Sequence, residues 1–183
     1  MEDAIVKRQL ELLRADRCAV HDVAASRTGD TVILYSPPGR LDIHARIVYA
    51  SGIATKRHLN DPVMHVTPAG GTGNAWSLQY IRILGDKINR GYGSLMMKQL
   101  LALAERGNVA RIEGRLQQAE HRDHAERLRH FYGKFGFAID ADRRLRWDNP
   151  RYRPAPSERP AAPKPGFRFW YAKRTEKKDL HPF

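Results

Sequence analysis

Residues 76–107, WSLQYIRILGDKINRGYGSLMMKQLLALAERG, contain the clearest secondary-structure signals of the chain. Its first part, Trp76 to Leu84, alternates aromatic and branched side chains, which predicts a β-strand. From Ser94 to Arg106 the apolar residues recur at helical spacing, which predicts the strongest helix of the chain. A turn with two glycines, Gly91 and Gly93, joins the strand to the helix. The order strand, glycine turn, helix indicates a domain of mixed α/β structure.

The turn Asn89-Arg90-Gly91-Tyr92-Gly93-Ser94 has the composition of an anion-binding turn. The first N–H groups of a helix have no acceptor within the helix and lie at the positive end of its dipole. Glycines let the backbone come close to a ligand. The turn therefore predicts a phosphate site built from backbone amides, although the same pattern is also typical of an ordinary strand-to-helix connection.

The residues before this stretch are predicted to form a helix and an antiparallel meander. An apolar stripe from Ile5 to Leu13 indicates the helix. Three β-prone runs follow, at residues 18–24, 31–35 and 41–49, separated by turn residues. Residues 54–74 are predicted as loop because they contain Pro62 and Pro68, and the glycine cluster 70–73 is predicted to be a hairpin connection.

The residues after the main helix predict a strand at 109–116, a helix from Asp123 to about Lys134 and a further strand at 136–139. Prolines then become frequent, which excludes a continuous helix. We therefore expect a core at residues 1–140 and a proline-rich basic loop or insertion at 141–165. A final strand and a charged C-terminal tail are expected at 166–183.

A second motif lies about forty residues beyond the glycine turn. It reads Arg129-His130-Phe131-Tyr132-Gly133-Lys134-Phe135-Gly136-Phe137, and it ends one predicted helix and opens a strand. Tyr132 is thereby predicted near the C-terminal end of that helix.

Together the two motifs resemble those of the GNAT (GCN5-related N-acetyltransferase) superfamily. Its Arg/Gln-x-x-Gly-x-Gly/Ala loop binds the diphosphate of coenzyme A, and its Phe-Tyr-x-Lys-x-Gly-Phe segment supplies a tyrosine. The match covers Trp76 to Ile139. The resemblance implies an α/β (α+β) fold: a central, mixed, mostly antiparallel twisted sheet flanked by helices. It also implies acetyl-CoA as cosubstrate, with no metal, and these cofactor-binding positions: Ile83, Leu84, Asn89, Arg90, Gly91, Tyr92, Gly93 and Ser94.

By the same resemblance the chain is expected to be an acyltransferase in which an amine attacks the acetyl thioester. Tyr132 would protonate the departing thiolate. The predicted strand before the loop carries no acid to deprotonate the amine, so a water chain, Glu113 and His130 all stay open as the base. Two positions depart from the family pattern: Ile88 stands where Arg or Gln is expected, and Ala125 where an Asn is frequent.

The acceptor is expected to be a primary amine on a small molecule, a protein or an aminoacyl-tRNA. The alternative is a non-catalytic module that binds nucleic acid or protein on a degenerate GNAT scaffold. A net charge of +12 and a pI of about 10.2 favour polyanionic partners, so tRNA or another nucleic acid is a possible partner. Either a monomer or a homodimer is expected.

The remaining composition excludes several classes of site. No run approaches the roughly 18 apolar residues of a membrane span, so we expect no membrane partner and a cytoplasmic location. The single cysteine, Cys18, excludes an internal disulfide and is expected to be a buried structural thiol. The histidines are scattered without a ligand pattern, so no metal site is predicted.

Overall fold

The computed structural model of the chain describes residues 2–70, 74–116 and 122–154. They form three α-helices and eight strands. In chain order these are α1 (Glu2–Ala15), β1 (Ala19–Ala25), β2 (Thr31–Ser36), β3 (Ile43–Val48), β4 (Val63–Ala69), β5 (Ala75–Arg82), α2 (Tyr92–Arg106), β6 (Arg111–Arg115), α3 (Arg122–Lys134), β7 (Ala138–Ile139) and β8 (Arg144–Asp148). All of these elements belong to the first of two compact units, Met1–Arg153.

The strands form one sheet in the order β1-β2-β3-β4-β5-β6-β8-β7. Among the described strands, only the pair β5 and β6 runs parallel, because α2 connects these two strands as a crossover. The other neighbours are antiparallel, including the predicted meander of β1, β2 and β3. The predicted architecture of a mixed, mostly antiparallel sheet with helices is therefore confirmed, and it is consistent with a GNAT fold.

The helices cover the two faces of the sheet unequally. The larger core lies on the face of α2 and α3, where Met96 and Leu100 of α2 pack with strand residues such as Ile47 and Ile112. A smaller core lies on the opposite face, where Leu13 of α1 packs with residues that include Ile33. Cys18 belongs to this smaller core and is buried, as expected.

Two strands lie in segments predicted as loop, and there the prediction is wrong. β4 occupies 63–69 and contains Pro68, which pairs with Trp76 close to the end of the strand. A proline is tolerated there because it need not donate to the ladder. β8 occupies Arg144–Asp148 within the segment predicted as a proline-rich loop, and its Leu145 and Trp147 are buried. These two buried residues alternate with exposed arginines, a pattern typical of a strand, but the nearby prolines led to the loop prediction.

The connection between β4 and β5 is a hairpin, as predicted, because Ala69 pairs with Ala75 in antiparallel register. Residues 71–73 of that connection lie outside the described residues, and so do residues 155–183 with the predicted final strand. Within the described ranges, no helix combines the length and the apolar character that crossing a bilayer requires.

Candidate active site

The candidate site begins where the parallel strands β5 and β6 separate. Their pairing ends with Leu78 opposite Gly114, whereas β5 continues to Arg82. At this point β5 contains a bulge. His65 of β4 pairs with Tyr80, and the next residue, Val66, pairs with Leu78, so the pairing skips Gln79 of β5. A Cβ atom on Gly114 would lie only 2.8 Å from the carbonyl oxygen of Leu78. Any other residue at position 114 would therefore disturb its pairing with Leu78.

A cleft of about 860 Å³ opens beyond this point. Its walls come from the end of β5, the turn before α2, the end of β6 and the helix α3. The cleft therefore brings together the two sequence motifs, which lie about forty residues apart in the chain. The predicted residues that line it are Ile83, Asn89, Gly91, Gly93, Ser94 and Tyr132.

The N-terminus of α2 faces this cleft with unsatisfied amides. Gly91 is the N-cap, with a left-handed φ of 92°, and the helix begins at Tyr92. The N–H of Ser94 donates to the carbonyl oxygen of Gly91 at 3.0 Å, whereas the N–H groups of residues 91–93 donate to no group among the described residues. No acidic residue lies in the first turn of the helix. The end of α2 is thus a set of donors with positive potential.

Both glycines of the turn also pack closely against protein atoms. A Cβ on Gly91 would lie 3.0 Å from Cγ of Arg27 and 3.2 Å from its Cδ. A Cβ on Gly93 would lie 3.2 Å from Cδ1 of Ile83 and 3.7 Å from the ring of Phe131. Glycine at these positions allows the β1–β2 turn, β5 and α3 to approach the start of α2 closely.

Three predicted cofactor-binding positions are not among the residues that line the cleft. Leu84 is 43% exposed. The carbonyl oxygen of Arg90 accepts a hydrogen bond from the backbone N–H of Arg27 at 3.3 Å. The side chain of Tyr92 is buried, and its hydroxyl donates to Asp30 at 2.7 Å. What Tyr92 can offer to a ligand is its backbone amide.

Tyr132 lies in the wall of the cleft with most of its ring in the core. It is 7% exposed, and its ring makes edge contacts with Phe131 and Phe137 at centroid distances of 5.2 and 5.6 Å. Burial raises the pKa of Tyr132 to about 12. The phenol therefore stays protonated at neutral pH and can donate a proton but cannot accept one.

The two side chains proposed as bases lie in different places. His130 lines the main cleft together with Tyr132. Glu113 lines a second cavity of about 410 Å³, which shares Leu78, Gln79, Arg115 and Leu116 with the main cleft. Its carboxylate pairs with the guanidinium of Arg111. The structure therefore places the two candidates in adjoining cavities.

The cleft is basic, and most of its charged residues were missed by the sequence analysis. Its lining contains Arg27, Arg115, Arg127 and Lys134, against the single acid Glu126. Arg27 was assigned only to a turn, because nothing in the sequence shows that the β1–β2 turn packs beside Gly91. Ile88, which stands where the GNAT motif has Arg or Gln, is 56% exposed and also lines the cleft. Ala125 lies in α3 and is half-buried.

Outside this cleft, the described residues show neither a metal-binding group nor a reactive cysteine. Within the part of the chain that the structure describes, no three His, Cys, Asp or Glu side chains are grouped to hold a metal ion. Burial raises the pKa of the Cys18 thiol, despite the guanidinium of Arg57 at 3.3 Å from its sulfur. A raised pKa disfavours the reactive thiolate.

Comparison with known proteins gives similar structures but no similar sequences. No protein-family model matches the chain, and no curated protein matches it. Among solved structures it is similar to the PaiA N-acetyltransferase of Thermoplasma acidophilum in complex with coenzyme A, with 12% identity and a TM-score of 0.42. That match covers 59% of this chain and 60% of the other, so this chain spans less than two thirds of that protein's length.

Two further structures are similar at the same level. One is a putative acetyltransferase of the GNAT family from Desulfovibrio desulfuricans, with 14% identity, a TM-score of 0.45, and coverage of 59% of this chain and 69% of the other. The other is a nourseothricin acetyltransferase, with 11% identity, a TM-score of 0.42, and coverage of 73% and 85%.

Proposed function

We propose that the chain is an acetyl-CoA-dependent N-acetyltransferase that acetylates a primary amine. The observation that carries the proposal is the single cleft lined by both the N-terminus of α2 and the phenol of Tyr132. The same cleft thus brings together anion-binding donors and a proton donor. A site with both kinds of donor suits a reaction in which the amides bind the phosphates of a thioester and the phenol protonates the thiolate that leaves.

The donor set at α2 fits a diphosphate. The N–H groups of residues 91–93 have no acceptor among the described residues, and the helix dipole adds positive potential at the same place. The arginines and the lysine of the lining raise the potential further, and only Glu126 opposes them. A ligand with several phosphate charges is therefore favoured over a neutral one.

Acetyl-CoA supplies the acetyl thioester whose carbonyl carbon the amine attacks. The backbone N–H groups of Ile83 and Leu84, just past the end of β5, donate to no described group and are available to an oxyanion beside the cleft. Tyr132 holds the proton that the leaving sulfur needs. His130 in the cleft and Glu113 in the adjoining cavity are two side chains that could take the proton of the amine, directly or through water.

Isothermal titration of the full chain with acetyl-CoA tests the proposal. We expect saturable binding with a Kd below about 1 mM, which corresponds to about 4 kcal/mol. Release of free thiol should then depend on an added amine, and three kinds should be compared: a small amine, a lysine peptide and an aminoacyl-tRNA. No binding heat at millimolar acetyl-CoA would contradict the proposal and favour the non-catalytic alternative.

The salt dependence of the reaction separates the acceptor classes. The chain carries a net charge of +12, so a nucleic-acid acceptor would be bound largely through phosphate contacts. With aminoacyl-tRNA as acceptor, kcat/KM should fall steeply between 50 and 200 mM salt, by about tenfold or more. A flat response with a small amine as the best acceptor would exclude a polyanionic substrate.

A further inference from the structure

The β1–β2 turn, which we define as Ser26 to Asp30, packs directly on the start of α2. The backbone N–H of Arg27 donates to the carbonyl oxygen of Arg90 at 3.3 Å. The aliphatic stem of Arg27 lies in the space that a side chain at Gly91 would take, with Cγ 3.0 Å from the ideal Cβ position. The guanidinium of Arg27 is thereby held beside the turn proposed to bind the diphosphate.

A hydrogen-bond network anchors this turn to the helix. Asp30 is buried and accepts hydrogen bonds from the hydroxyls of Thr28 at 2.6 Å, Tyr92 at 2.7 Å and Ser26 at 3.3 Å. Burial by itself would raise the pKa of Asp30, but these hydrogen bonds and the charge of Arg90 lower it below its ordinary value. The carboxylate is therefore ionised at neutral pH and ties the β1–β2 turn to the first residue of α2.

The charge of Arg27 is available to a ligand. Its side chain is exposed, lines the main cleft and takes part in none of the ion pairs formed within the described residues. The position that carries Arg or Gln in the family motif is Ile88 here, which has no charge or polar group to offer. Arg27 supplies a positive charge to the cleft that Ile88 also lines, but from the β1–β2 turn and not from the connection between β5 and α2.

We propose that Arg27 binds the diphosphate of acetyl-CoA together with the amides of residues 91–93, an inference that rests on the proposed function. A guanidinium donates two parallel hydrogen bonds to phosphate oxygens, and such charge-assisted bonds are about twice as strong as neutral ones. The stem of Arg27 packs on Gly91, so little side-chain freedom is lost when the phosphate binds.

Isothermal titration of three proteins with two ligands tests this role. The proteins are the wild type, Arg27→Ala and the control Arg40→Ala, which removes an exposed arginine from the β2–β3 connection, outside the cleft. The ligands are coenzyme A and dephospho-coenzyme A, which share the diphosphate but differ in the 3′-phosphate. We expect Arg27→Ala to weaken both ligands by the same factor, about 10- to 100-fold. Arg40→Ala should bind both as the wild type does.

The outcomes separate this inference from the proposed function. Failure of the wild type to bind either ligand overturns both. If Arg27→Ala binds both ligands with wild-type affinity, only the role of Arg27 is overturned. That role is also overturned if Arg27→Ala loses affinity for coenzyme A alone, since Arg27 would then contact the 3′-phosphate. The thermal unfolding temperature of Arg27→Ala is expected to match that of the wild type. Arg27→Lys should bind both ligands more tightly than Arg27→Ala but less tightly than the wild type, because lysine restores the charge without the paired donors.

Discussion

Tyr132 is the residue on which the proposed chemistry depends most. Its ring is held by aromatic neighbours in the core, and burial is the cause that raises its pKa to about 12. A tyrosine that served only to fill the core would make the same ring contacts. Its hydroxyl is therefore the group to test, because only a role in proton transfer requires it.

Removal of that hydroxyl should slow turnover without loss of cofactor binding. In Tyr132→Phe the ring contacts remain, so we expect kcat to fall by about 10²- to 10⁴-fold, the usual contribution of a general acid. The Kd for acetyl-CoA should stay within about twofold, since loss of one neutral hydrogen bond has a small net effect. Thiol release and titration calorimetry measure the two quantities. Unchanged turnover would remove Tyr132 from the mechanism.

A matched control and the pH dependence sharpen this test. Tyr49→Phe removes a phenol that also packs against the main core but does not line the cleft, so it should leave turnover unchanged. An acid is active below its pKa. Because the pKa of Tyr132 is about 12, the ratio of wild-type to Tyr132→Phe turnover should stay constant between about pH 7 and 10. A ratio that falls across this range would contradict the assignment.

At the scale of elements, the junction of α2 with the β1–β2 turn requires glycine for a reason that the sequence did not show. Gly91 has a φ of 92°, which side-chain-bearing residues rarely adopt, and Arg27 fills the space beside it. Gly133 in α3 is the opposite case. No heavy atom lies within 4 Å of a Cβ placed there, and its φ is not positive.

The same substitution at these two glycines should therefore have opposite effects on stability. We expect Gly91→Ala to lower the free energy of unfolding by about 1–2 kcal/mol from backbone strain alone, and to weaken acetyl-CoA binding by displacing Arg27. Gly133→Ala should raise it by up to about 1 kcal/mol, because alanine favours helix over glycine. Urea unfolding followed by circular dichroism measures both. Similar losses in the two variants would contradict the packing explanation.

At the scale of the whole molecule, the core under α1 contains a polar cluster that ties the sheet to the segment before β4. Asp61 accepts hydrogen bonds from Tyr35 at 2.7 Å and from Arg46 at 3.2 Å, and also from the hydroxyl of Thr55. His44 stacks on Tyr35 at a centroid distance of 5.2 Å, and its Nδ1 is buried with no hydrogen-bond partner among the described residues. Charging this imidazole is therefore costly.

The fold should lose stability in mild acid through His44. Burial lowers the pKa of His44 to about 4, with Asp61 and Asp42 opposing the shift and Arg57 and His58 adding to it. The unfolded chain binds the proton at about pH 6.5, so the stabilisation is complete above that pH and is lost as the pH falls towards about 4. The loss should be on the order of 3 kcal/mol, measured by urea unfolding at pH 7 and at pH 4.

Two variants isolate this contribution from the other groups that titrate in acid. In His44→Gln the difference in unfolding free energy between the two pH values should shrink by about the same 3 kcal/mol. His130→Gln changes an exposed histidine of α3 that is not among the groups acting on His44, and should leave that difference unchanged. An equal pH difference in the wild type and His44→Gln would show that another group causes the acid loss.

Local patterns predicted most of the elements correctly. The strand β5, the helix α2 and the helix α3 follow from periodicity and capping residues, which act over a few neighbours in the chain. The strands β4 and β8 were missed because prolines lie in or next to them. Whether a segment near a proline joins a sheet depends on the partner strand, and that partner is distant in sequence.

The sequence alone determined that two motifs, one rich in glycine and one containing Tyr132, belong to a mixed α/β domain. Only the tertiary structure decided that both line one cleft, that Arg27 packs on Gly91, and that Glu113 and His130 lie in different cavities. Helical and strand periodicity result from interactions between near neighbours and can be read along the chain. Contacts such as that of Arg27 with Gly91 form only when the sheet brings distant segments together, so no local pattern encodes them.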